Sequence, residues 1–380
     1  MAGIYLHIPF CRQACHYCNF HFSTSLKHKN DFIAALLKEM ELQRDYIGAS
    51  VVETIYFGGG TPSLLTEEEL RLIVEGLREL FVLDPEAEIT LEANPDDITV
   101  AGKLKAWKAT GINRLSIGVQ SFFEEDLRWM NRAHDAGQAA DSIRMAQEQG
   151  FENISVDLIY GGPTLPDSHW EKNVAQAVTW GIPHLSCYAL TVEPRTALDK
   201  MIRQHTKEAV HPDDQARQFL LLMGWLAAAG YEHYEISNFS LPGRRSRHNS
   251  SYWQGKPYLG LGPSAHSYNG ASRQWNVANN AQYTAALSSG KLLFEKEDLT
   301  TVEQLNEYIM ISLRTMEGCD LELVRNRWGK EQAGELEKQA AQYISRGLIK
   351  VSEDGPRLVL TQEGKLLADG IAAQLFFQKE

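Results

Sequence analysis

Along the chain, short runs of β-branched and aromatic residues alternate with longer stretches whose apolar positions recur at helical spacing. The short runs predict strands at Ile4–Ile8, Thr54–Phe57, Glu88–Glu92, Arg114–Val119, Ser155–Tyr160 and Leu185–Ala189. Asp31–Ile47 places Phe32, Leu36 and Met40 close to one face. Leu65–Leu80 opens on Thr66-Glu67-Glu68-Glu69, a capping box. Further helical patterns cover Lys103–Lys108, Gly137–Gln149, Ser168–Trp180 and Asp213–Ala229. Strand–helix alternation sustained in this way predicts parallel strands joined by right-handed crossovers, as in a barrel or a doubly wound sheet.

The pattern breaks near residue 240. Phe239–Pro263 is rich in Gly, Pro, Ser, Arg and aromatics and predicts a long, functional loop. From Thr300 the chain predicts helices at Glu303–Thr315 and Glu331–Arg346, then a hairpin. Its strands, Ile349–Val351 and Arg357–Leu360, turn through Glu353-Asp354-Gly355, and a last helix starts at Thr361. This order resembles a winged-helix module, whose expected use here is packing or protein contact. The boundary is expected near residue 295, giving units 1–295 and 296–380.

Composition narrows the class. Of 380 residues, 43% are hydrophobic and 23% charged, which excludes wholesale disorder. No apolar run approaches the ~20 residues of a membrane span. The opening Met1-Ala2-Gly3-Ile4-Tyr5 lacks the basic and apolar regions of a secretory signal. A net charge of −12 argues against broad nucleic-acid binding. Of the five cysteines, Cys11, Cys15 and Cys18 cluster, while Cys187 and Cys319 stand alone among apolar neighbours. An odd number without an export signal points to a reducing compartment, the cytoplasm by default, and to a ligand cluster.

Cys11-x₃-Cys15-x₂-Cys18 directly follows the first predicted strand and therefore sits on a strand-to-helix loop. A zinc site completed by His16 or His21 is one reading. A [4Fe–4S] cluster is the other: three thiolates leave one iron open to bind a further ligand. This spacing resembles the signature of the radical S-adenosyl-L-methionine (SAM) superfamily, in which the open iron chelates the amino and carboxylate groups of SAM. Polar groups recur at successive strand ends: Gly58-Gly59-Gly60-Thr61-Pro62, Glu92, Gln120 with Arg132 close behind, and Asp157. Carboxyl ends of parallel strands are where α/β barrels place their chemistry. Taken singly, the glycines read as a tight turn, Glu92 and Asp157 as helix caps, and Arg132 as a surface ion pair. Their shared register favours one site.

Over roughly residues 1–270 the motifs resemble the branch containing oxygen-independent coproporphyrinogen III dehydrogenase and the HemW-type heme chaperones. They stand here as His7-Ile8-Pro9-Phe10-Cys11, Gly58-Gly59-Gly60-Thr61-Pro62-Ser63, Gly118-Val119-Gln120-Ser121-Phe122 and Asp157-Leu158-Ile159-Tyr160-Gly161. The resemblance implies a partial (β/α)6 radical SAM barrel, TIM-like, with the C-terminal helical, winged-helix-like domain appended. It matches Tyr5, Gly59 and Glu92 to contacts of the cluster-bound SAM. Tyr17, Gly60, Thr61, Gln120, Arg132, Asp157 and Ala189 match contacts of a second SAM in the dehydrogenase. Gly162 departs from the family, where leucine is usual.

Three features separate the branches. The dehydrogenase has a cysteine two residues after the third ligand, where this chain has Phe20, and it carries an N-terminal extension before the first strand. His248-Asn249-Ser250-Ser251-Tyr252-Trp253 fits the HNxxYW motif of the heme chaperones. The resemblance thus implies a protein that binds heme and delivers it to heme-requiring respiratory proteins, a meeting that could take place at the membrane surface, with a homodimer compatible. The alternative is SAM-dependent oxidative decarboxylation of coproporphyrinogen III. On the chaperone reading, His248 is an expected axial heme ligand, with His7, His134 and His266 as alternatives. Tyr252 and Trp253 are expected to pack on the macrocycle, and Arg244, Arg245 and Arg247 to meet its propionates.

Overall fold

The computed structural model describes residues 1–378. Six strands lie side by side in chain order, each pair parallel: β1 (Ala2–Ile8), β2 (Val52–Gly59), β3 (Leu83–Ala93), β4 (Arg114–Gln120), β5 (Asn153–Tyr160) and β6 (His184–Ala189). Helices Lys29–Gln43, Glu67–Leu80, Lys103–Thr110, Ala136–Glu148 and Asp167–Thr179 carry the chain between successive strands. The result is the expected partial (β/α)6 barrel.

Alternation along the strands explains the layering. Ile4, Leu6 and Ile8 of β1, Ile55 and Phe57 of β2, and Leu115, Ile117 and Val119 of β4 are buried in one shell core with Leu36, Ile73 and Val174 of the helices. The intervening residues turn the other way, into the barrel. There Tyr5 stacks on Tyr56 at 6.1 Å, Tyr56 bonds Glu92, and Ser116 bonds Asp157. The period of two thus builds an apolar jacket around a polar and aromatic lumen. The capping box at Thr66 is present, with Glu69 N–H donating to Thr66 Oγ1 and Thr66 N–H to Glu69.

The stretch expected to be a long loop is ordered structure. Beyond β6 the sheet gains β7 (Glu232–Glu235) and β8 (Asn238–Ser240), and Ser246 caps a helix at Arg247–Trp253. Next comes β9 (Tyr258–Leu261), which pairs in parallel with β1, then β10 (His266–Tyr268), β11 (Ser272–Asn276) and β12 (Phe294–Asp298), all antiparallel. Position 295 falls inside β12, so the barrel sheet runs to Asp298.

A second core begins at Leu305 and includes Ile309, Leu336 and Leu360. It is built from helices Thr301–Leu313, Leu321–Arg327 and Lys330–Ser345 with a small sheet of β13 (Cys319–Asp320), β14 (Ile349–Val351) and β15 (Arg357–Leu360). Arg314 joins it to the barrel, lying over Trp253 and reaching Glu235 and Asp369. Among the described residues no helix is long and apolar enough to cross a membrane.

Candidate functional site

The three cysteines lie on the segment that leaves the carboxyl end of β1. Cys11 N–H donates to Ser23 O, and Ser23 N–H to Pro9 O, closing the loop at its base. His16 N–H donates to Met130 O, anchoring the loop's middle across the barrel mouth. Buried Asp97 fixes the outer edge by accepting from Arg12, Ser63 and Lys103 at 2.8–3.0 Å. Gly60 packs so tightly here that a Cβ would lie 2.6 Å from Phe10 O, which only glycine avoids. The glycine turn and the cysteine loop are thus locked together.

Burial pushes the thiols of Cys11 and Cys18 up, the latter to about 11. A bound cation that takes the place of the proton favours their thiolate form. Among the described residues no three His, Cys, Asp or Glu side chains converge on a single ion. His16 and His21, the candidate fourth zinc ligands, bond Trp129 O and Asn280 instead. Three half-buried thiols spread along one loop suit a polynuclear cluster, each iron taking one thiolate. Cys187 and Cys319 are buried in the two cores.

Arg132 is the hub of the mouth. Its guanidinium reaches Cys15 Sγ at 3.3 Å, Tyr17 OH at 3.4 Å, and Asn94 Oδ1 and Gly118 O at 2.8 Å each. Nε is buried without a partner, a donor left for a ligand. Asn94 also meets Thr61 Oγ1 at 3.4 Å. A Cβ on Gly118 would touch both Gln120 and Arg132. Gln120 holds φ at +68° at the end of β4, a conformation that non-glycine residues adopt at local cost. Tyr17, Thr61, Gln120 and Arg132 therefore meet at one place. Asn94 was missed by sequence reasoning, although it stands two residues after Glu92.

Glu92 and Asp157 form the acidic wall. Burial pushes Glu92 to about 7 and Asp157 to about 6, with Asp157 adding to the rise at Glu92. Tyr56 OH donates to Glu92 at 2.9 Å, and Ser116 Oγ to Asp157. A Cβ on Gly58 would contact Tyr5, Tyr56 and Glu92, while Gly59 adopts φ +100° beside His7. Tyr5, Gly59 and Glu92 are thereby brought together. Ala189 ends β6, opposite Tyr160 of β5.

The HNxxYW segment lies elsewhere. Helix Arg247–Trp253 sits at the amino ends of the strands, where a Cβ on Gly3 would touch the His248 ring. His248 is buried: Nδ1 bonds Thr54 Oγ1 and Nε2 bonds Tyr252 OH, both at 2.8 Å. An axial bond from His248 requires one of these to break. The Glu88 carboxylate accepts from the N–H groups of Arg247 and His248. Trp253 faces Arg314 of the C-terminal unit. Arg245 is committed to Glu232 and Glu317, whereas the exposed Arg247 side chain makes one bond, to Glu86 O, and keeps its other donors. His7 and His134 are also buried and bonded, to His21 O and Val119 O.

Comparison with known proteins agrees with this geometry. A family model described as the Radical SAM superfamily matches residues 5–177, and one described as the HemN C-terminal domain matches residues 299–367. The solved structure of coproporphyrinogen III oxidase (HemN) from Escherichia coli superposes with a TM-score of 0.84, covering 99% of this chain and 90% of that one at 24% identity. Fold and site therefore define a radical SAM barrel with a HemN-type C-terminal domain.

Full-length relatives resolve the branch. The chain is 36% identical to heme chaperone HemW of Mycobacterium tuberculosis over 379 residues, covering 98% of this chain and 94% of the relative. It is 34% identical to the Bacillus subtilis and Escherichia coli proteins of the same name, covering 98% and 97% of this chain and 98% and 96% of theirs. The chain belongs to the HemW heme chaperone family.

Proposed function

We propose that this protein binds heme and hands it to heme-requiring respiratory proteins, using a barrel that holds a [4Fe–4S] cluster on Cys11, Cys15 and Cys18 and SAM beside it. The observation that carries the reading is similarity to heme chaperones along the whole chain, C-terminal domain included. When bound, the cluster supplies an open iron for the amino and carboxylate groups of SAM. The chain's own residues do the rest. The unpartnered Nε of Arg132 suits a carboxylate, and the carboxylate of Glu92 suits the cationic end of SAM. Tyr56 and the Gly59 N–H orient Glu92, and Asn94 fixes the guanidinium plane. Asp157, held by Ser116, offers acceptors to ribose hydroxyls.

The test is anaerobic reconstitution followed by hemin and then SAM, with the visible spectrum read at each step. Wild type is expected to take up iron and sulfide and then to develop a Soret band. Alanine at Cys11, Cys15 or Cys18 is expected to abolish the cluster, and alanine at Cys187 or Cys319 to leave it intact. Heme passed to an apo-acceptor supports the chaperone role. Substantial oxidation of coproporphyrinogen III by the pure protein would establish the enzyme instead.

A further inference from the structure

We propose that the face of β10 and β11 bearing His266 and Trp275 is the heme seat, with His266 as an axial ligand. This rests on the heme-binding reading above and names the place where heme sits. Among the described residues most histidines are committed to hydrogen bonds or ion pairs, including His248 at both ring nitrogens. His266 is exposed on β10 and has no such bond. Its ring lies against Trp275 at 6.0 Å and 26°.

Strand register shows what surrounds it. β9 pairs Tyr258 with Gly3 and Gly260 with Tyr5, so Tyr258 lies on the lumen face of the sheet. Tyr268 pairs with Tyr258, and His266, two residues before Tyr268, shares its face. Trp275 stands opposite His266. The reverse face is closed: Ser267, Gln274 and Asn276 are buried, and Asn276 bonds Glu39 of helix Lys29–Gln43. Aromatic contacts run from Tyr252 to Tyr258 at 4.6 Å and on to Tyr268 at 6.4 Å. The barrel's aromatic lining therefore continues onto a partly open strip that ends in a free imidazole.

A planar macrocycle with a central metal matches that surface. Imidazole is a common axial donor to heme iron, and aromatic faces stack on a porphyrin plane. Desolvation by the surrounding protein and then nearby Arg273 lower the His266 pKa, which favours the neutral ring with a lone pair to donate. Arg273 itself is paired with Glu307 at 2.7 Å and is not offered to propionates. Glu295 and Glu297 stand opposite Trp275 and Arg273 on β12, so the propionates would point away from that edge. His205, exposed in a cavity of about 440 Å³ with Ile202 and Lys207, is one competing donor, and His169, stacked on Phe123 at 3.8 Å, is another.

The experiment is a hemin titration of the full-length protein, comparing wild type with His266→Ala, Trp275→Ala, His205→Ala and His248→Ala. His266→Ala is expected to weaken hemin binding roughly tenfold or more and to shift the Soret band, with added imidazole restoring its position. Trp275→Ala is expected to weaken binding without moving the band. Circular dichroism identifies any variant that fails to fold; His266→Ala, at an exposed position with no hydrogen bond to lose, is expected to keep the wild-type spectrum. Unchanged affinity and Soret position in His266→Ala overturn this seat, whether or not His205→Ala or His248→Ala loses binding, and leave the heme-binding reading standing. Absence of hemin binding by wild type overturns both.

Discussion

At the scale of single residues the mouth of the barrel depends on Arg132. Its planar fork serves Cys15, Tyr17, Asn94 and Gly118 at once, which a lysine ammonium cannot do from one point. Arg132→Lys keeps the charge and loses the geometry. It is expected to retain the iron of wild type and to bind SAM roughly tenfold more weakly, about 1.4 kcal/mol, by equilibrium dialysis of the reconstituted protein. Equal SAM affinity in the two proteins would remove the guanidinium fork from the site. The polar residues at strand ends were legible from sequence because each follows a recognisable strand. Asn94 was not, since nothing local shows that its amide oxygen faces a guanidinium 38 positions further on.

At the scale of elements, the six parallel strands and their crossover helices were legible because each buries an apolar face whose spacing is written locally. The additions from β7 to β12 were not. They are short, and although β7–β8 and β10–β11 pair locally, β8 and β9 dock on edges of the barrel, β6 and β1, that are formed by distant chain. Helix Arg247–Trp253 is the clearest case. It buries only His248 and Ser251, and it is fixed by Ser246 at its cap and by Glu88, 160 positions before His248. Its central bond joins His248 to Thr54 across 194 positions, so the burial of His248 could not be seen in the motif. Thr54→Val keeps the side-chain shape and leaves Nδ1 buried without a partner. It is expected to destabilise the apoprotein by about 1–3 kcal/mol in urea denaturation. No change in stability would show that the helix does not depend on this bond.

At the scale of the whole molecule, each buried acid makes a contribution to stability whose pH dependence has a definite sign. Glu39 joins the barrel jacket to the added strands by accepting from Tyr283 OH, Gly262 N–H and Asn276 Nδ2. Burial outweighs these three donors and pushes it from 4.5 to about 7. A carboxyl whose folded pKa lies above its unfolded value holds its proton more tightly when folded. The associated stability is complete below about pH 4.5 and is lost as pH rises to about 7, an amount on the order of 3 kcal/mol for this group. Glu92 and Asp157, raised to about 7 and 6, act in the same direction. Buried His7, His134, His233 and His248, lowered to about 4, 3, 3 and 3, act the other way, adding stability as pH rises toward 6.5. The contribution of Glu39 is therefore read from a variant compared with wild type at each pH. Glu39→Gln removes one titration and sets an amide donor among three donors, so it is destabilising at pH 5. Wild type then loses the stability of this protonated carboxyl with rising pH, whereas the variant has none to lose there. The gap between the two proteins is therefore expected to narrow by pH 8. A gap that stays constant or widens between pH 5 and 8 would show that Glu39 is ionised throughout, held down by its three donors against its burial.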